Sequence, residues 1–63
     1  MSPDPLQLAA EVRTAFIDAA VAAYEDATMR GLCAEGALEA ALGAMRAVDL
    51  SYIVKKMLMR SED

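Results

Sequence analysis

The stretch Arg30-Gly31-Leu32-Cys33-Ala34-Glu35-Gly36-Ala37-Leu38-Glu39 holds the only cysteine of the chain, with two glutamates close behind it. A thiol at the start of a helix feels the positive end of the helix dipole, which favours the thiolate and with it nucleophilic, redox or metal-binding chemistry. Glu35 and Glu39 are four residues apart, one helical turn, and carboxylates set this way on bundle helices are used to bind metal ions. The chemical reading is therefore a small ligand-, metal- or redox-handling site built from Cys33 with Glu35 and Glu39.

The rest of the composition opposes it. The chain has no histidine, so there is no imidazole to act as base for the thiol and no Glu-x-x-His ligand pair. Glu35 lies within a turn of Cys33 and disfavours the anion. A lone cysteine between Leu32 and Ala34 reads as a small buried hydrophobe. A carboxylate-only site for a hard cation would draw on Glu11, Asp18 or Glu25, but these trace a solvated stripe. No glycine-rich phosphate loop, nucleophile elbow, or Ser or Thr beside an evident base is present. The expectation is a chain that is not an enzyme, holds no cofactor or metal, and uses Cys33 structurally, with a reactive Cys33 as the alternative.

The elements that position these residues are helices. Asp4 is a good N-cap, Pro5 suits the first helical position, and Gln7 falls three after the cap, so the first helix is predicted over about 5–30. Arg30, Gly31 and Leu32 have the order of a helix stop, a cation in the last turn, a left-handed glycine and an apolar residue closing over it. The corner is predicted at 31–33. Along the first helix Asp4, Gln7, Glu11, Thr14, Asp18 and Glu25 form a polar stripe. Ala9, Val12, Phe16, Ala20, Ala23, Tyr24 and Ala27 form the opposite, alanine-rich face.

From residue 34 to about 60, Gly36, Ala40, Gly43, Ala47, Leu50, Val54 and Met57 recur at alternating spacings of four and three. Glu39, Arg46 and Arg60 take an outer position of the same heptads, so the row forms an a/d seam that favours one long helix. The poor helix formers of Asp49-Leu50-Ser51 mark where it would break to leave a short third helix. Gly36 and Gly43 are expected to admit a facing helix closely. Two arms of equal length make an antiparallel hairpin, and Leu38, Leu42, Met45, Val48 and Tyr52 form a second apolar strip that one hairpin leaves wet.

At 63 residues the chain is one domain at most, and a core of that size needs help from a staple. One cysteine excludes an internal disulfide, and oligomerisation remains. The fold class expected is thus all-α, a two-helix hairpin dimerising into a four-helix bundle. This layout resembles that of small Rop-type helical hairpin dimers, without any shared motif.

Arg13, Phe16, Tyr24, Leu42, Met45, Tyr52 and Met57 are the interface candidates. Arg13 projects from the apolar side of its helix, and the methionines supply adaptable surface. With six basic and ten acidic residues and a net charge of −4, the chain lacks the basic stripe that nucleic acid requires. No apolar run reaches the ~20 residues that span a bilayer. Met1-Ser2-Pro3-Asp4-Pro5 has no basic n-region of a secretory signal, and a single unpaired cysteine fits a reducing cytoplasm. Hydrophobic residues make up 57% of the chain and mean hydropathy is +0.27, too apolar for disorder. The function expected is a non-enzymatic interaction module, an accessory or regulatory subunit that pairs with itself and with another protein.

Overall fold

Asp4 holds an extended backbone, and its carboxylate accepts the Leu6 N–H at 3.1 Å, so one orphan donor of the helix start is met, while Pro5 at the first position has no N–H to satisfy. In the computed structural model this helix, α1, runs Pro5–Met29. The structure describes residues 4–61. Positions 1–3 and 62–63, together with the side chains of Arg60 and Ser61, lie outside the described residues. The leader reading of Met1–Pro3 and the outer placement of Arg60 fall there.

The end of α1 follows its sequence signal. Arg30 is the cap residue and Gly31 has φ +90°, a left-handed conformation that costs a glycine nothing. The Gly31 N–H donates to the Thr28 carbonyl at 3.0 Å and the Leu32 N–H to the Ala27 carbonyl at 3.0 Å, the paired bonds of a Schellman close. Arg30 also reaches Asp26 at 3.1 Å, an exposed pair of small energetic weight.

After the corner, α2 spans Ala34–Arg46 and α3 spans Leu50–Ser61. The single long second helix is therefore not what forms. At Ala47 the N–H is shared between the Gly43 and Ala44 carbonyls at 3.1 and 3.2 Å, and the Val48 N–H turns to Met45 at 3.3 Å, tightening the last turn. Asp49 then starts a new helix. Its carboxylate accepts the Tyr52 N–H at 3.1 Å and its carbonyl accepts the Ile53 N–H at 3.3 Å. An aspartate offers the backbone this local alternative to a continuing helix.

Packing explains what the break achieves. Ala37 and Ala41 are buried and Ala44 and Val48 half-buried, so this row faces α1. In one uninterrupted helix Met57 would lie about 160° around from Ala41, at 100° per residue, and point away from α1. The non-helical step at 47–49 resets the phase, and Met57 is only 5% exposed with Ile53 half-buried beside it. α1 packs along both later helices, more extensively along α2 than along α3.

The glycine seam is accordingly corrected. Gly43, Ala47, Leu50 and Val54 are exposed and Gly36 and Ala40 half-buried; of that row only Met57 is buried. Gly43 has open space where a side chain would stand, and Gly36 packs beneath Leu32, whose side chain lies 3.4 Å from an added Cβ. Neither glycine admits a facing helix.

On α1 the inner face is Val12, Phe16, Ala20 and Ala23, half-buried, with Ala27 fully buried; Ala9 and Tyr24 are exposed instead of facing inward. Among the described residues no large side chain is fully buried. The molecule extends 46 × 17 × 14 Å with a radius of gyration of 14.6 Å. A compact chain of this length would have about 10.6 Å.

Candidate interaction surface

The Schellman close leaves Cys33 as the first residue outside the new helix. Its backbone is extended, its carbonyl accepts the Ala37 N–H at 2.9 Å, and its thiol makes no capping hydrogen bond. The side chain is exposed, which corrects the reading of Cys33 as a buried hydrophobe. Glu35 lies in the first turn of α2, and both Glu35 and Glu39 are exposed. Within α2 the two carboxylates stand about 40° apart around the helix axis. They share the outer face of α2. Among the described residues no group of three or more Cys, Asp or Glu side chains is placed to hold a metal ion.

Polar residues do converge elsewhere. Because Asp49 turns α3 back against α1, a cleft of about 330 Å³ opens between the polar stripe of α1 and the 48–56 segment. Glu11, Thr14 and Asp18 line one wall, and Asp49, Tyr52 and Lys56 the other. The Asp49 carboxylate is already engaged as the cap of α3. The cap pattern of Asp49 ahead of the apolar run Ile53, Val54 and Met57 is the signal that would have found this cleft.

A second feature is apolar. Ile17, Val21 and Tyr24 recur at spacings of four and three on α1 and are 53%, 49% and 40% exposed. On α2, Leu38 and Leu42 are 54% and 37% exposed, and Met45 is half-buried one turn on. Antiparallel helices present residues rotated in the same sense from their contact line on the same side of the pair. Both strips are rotated that way, Ile17, Val21 and Tyr24 from Ala27 and Leu38, Leu42 and Met45 from Ala37, so they flank one face. Between them runs a shallow apolar groove of about 320 Å³ lined by Ala20, Val21, Tyr24, Glu25 and Ala41. Contiguous apolar patches of this kind mark interaction surfaces more often than scattered exposed leucines do.

Of the interface candidates, Tyr24, Leu42 and Met45 lie on this face, and Arg13 stands exposed one turn before Ile17 at its rim. Phe16 is half-buried on the inner face of α1, and Tyr52 is exposed on the wall of the polar cleft. Met57 is buried within the chain itself, the consequence of the phase reset at Asp49. The sequence reading missed Ile17 and Val21, whose spacing with Tyr24 was the available signal. A second exposed apolar strip, Leu50, Val54 and Leu58, runs along α3.

No helix among the described residues is long and apolar enough to cross a membrane. No family model matches the chain, and no curated protein or solved structure matches it.

Proposed function

We propose that this chain is a non-enzymatic helical interaction module, an accessory or regulatory subunit that works by burying its apolar helix faces against protein, its own second copy first. The observation that carries the reading is the amount of surface left open. The chain exposes 4829 Å², whereas a compact monomer of its 6.7 kDa mass would expose about 3,900 Å². Among the described residues the buried core is three alanines and one methionine, small for an independent domain, and association is the stabilising device that the composition leaves.

The absence of histidine, and of any group of three or more thiol or carboxylate side chains placed to hold a metal among the described residues, gives catalysis and metal handling little support. Sedimentation equilibrium from 1 to 200 µM tests the reading. The expected result is a species of twice the chain mass across most of the range. A folded monomer throughout would overturn it.

A further inference from the structure

We infer that the face formed by Ile17, Val21 and Tyr24 of α1 with Leu38 and Leu42 of α2 is where a second copy of this chain docks, antiparallel, with α3 left outside the joint core. The inference rests on the self-association proposed above and adds the surface and its orientation.

The first argument is area. The chain exposes about 900 Å² more than a compact monomer of its mass, and a standard protein interface removes about 800 Å² from each partner. One copy therefore carries about one interface worth of excess surface. The second argument is the shape of the face. Two helices contribute to it, and the groove between them is floored by Ala20 and Ala41, small enough to receive a ridge of side chains from a facing helix. The α3 strip of Leu50, Val54 and Leu58 is a single row on one short helix. A symmetric pair closed on the α1–α2 face gives four helices around one core, the smallest arrangement that buries both strips at once.

Charge sets the direction. Arg13 stands at one end of the α1 strip and Glu25 at the other, beside Tyr24. A second copy laid antiparallel brings Arg13 of each chain toward Glu25 of the partner subunit. A symmetric pair laid the other way, with the two copies of α1 parallel, sets α1 against the partner subunit's α2 and forgoes that pairing.

The test uses the wild-type chain first. An isotope-filtered NOE experiment on a mixture of labelled and unlabelled copies should give intermolecular contacts from the Tyr24 ring and the methyls of Ile17, Val21, Leu38 and Leu42. Intermolecular contacts confined to Val54, Leu58 and Tyr52 would place the second copy on α3 and overturn the inference while the interaction reading stands. If the mixture is monomeric and folded, both fall.

Substitution supplies a second arm. Val21→Glu and Leu42→Glu should each weaken self-association by about 30-fold or more, the size expected at the centre of an interface, and Leu58→Glu should change it less than about threefold. Should Val21→Glu leave the dimer intact, with circular dichroism still helical, the face is wrong. If Val21→Glu unfolds the chain, the NOE pattern of the wild type decides.

Discussion

Replacing Cys33 with serine should stabilise this protein. The three helices differ at their starts: Asp4 caps α1 through the Leu6 N–H and Asp49 caps α3 through the Tyr52 N–H, each at 3.1 Å, while α2 starts at Cys33 with no side-chain cap. The backbone at Cys33, φ −71° and ψ 171°, already has the extended geometry of a cap residue, so serine needs no rearrangement to offer its oxygen to the Glu35 or Gly36 N–H. A good cap is worth about 1 kcal/mol relative to alanine, and cysteine, a weak acceptor, leaves most of that unrealised. The exposed thiol gives up little packing on replacement. The expected gain is about 0.5–1 kcal/mol, which for a domain of this size raises Tm by roughly 2–8 °C. Urea denaturation at one fixed protein concentration, because association shifts apparent stability, should show a higher midpoint with an unchanged slope. A loss of about 1 kcal/mol instead would mean that the thiol is packed and that the capping argument is wrong.

Other substitutions probe the remaining joints. Gly31→Ala should destabilise by about 1 kcal/mol or more, wholly through its φ of +90° since nothing lies within 4 Å of an added Cβ; thermal melts showing no loss would refute the left-handed corner. Gly43→Ala should stabilise by about 0.5–1 kcal/mol, because the site is exposed, inside α2 and open; a loss would restore the tight seam that the sequence pattern implied. Asp49→Ala should cost about 1 kcal/mol and raise amide exchange in α3 before α1, and uniform loss of protection along the chain would count against α3 as a separately capped helix. Arg13→Glu should weaken self-association by about twofold to fivefold, with added salt recovering part of the loss because it screens the new repulsion, and an unchanged dimer constant would remove Arg13 from the interface.

What the sequence made legible was punctuation. Asp4-Pro5 and Arg30-Gly31-Leu32 place the ends of α1 to within one residue, because a cap, a ring-fixed φ and a left-handed glycine are local requirements that few residues meet. The all-helical class follows from the same signals together with alanine content. Asp49 was visible as a weak point, yet its effect is non-local. Whether a helix breaks there depends on what Met57 and Ile53 gain by turning toward α1, and only the packed chain contains that quantity.

The phase of α2 shows the harder limit. Alanine and glycine occur on almost every side of this helix, so Gly36-Ala40-Gly43-Ala47 and Ala37-Ala41-Ala44-Val48 are both plausible contact rows, about 100° apart. Hydrophobicity alone does not separate them. The heptad reading chose the first row because it joined smoothly to Leu50, Val54 and Met57, which assumed the continuity that Asp49 removes. Once α2 is short, the choice passes to its larger residues. With Ala37 and Ala41 inward, Leu38, Leu42 and Met45 come to one side of the hairpin and Glu35, Glu39 and Arg46 to the outside. Turning the other row inward would carry Leu38 and Leu42 toward the outer, solvated face, away from Val21 and Tyr24. The observed phase is therefore the one that spends alanine on close helix contact and gathers the large apolar side chains beside those of α1. In the paired state proposed above, that gathering is what gives a second copy one face to cover.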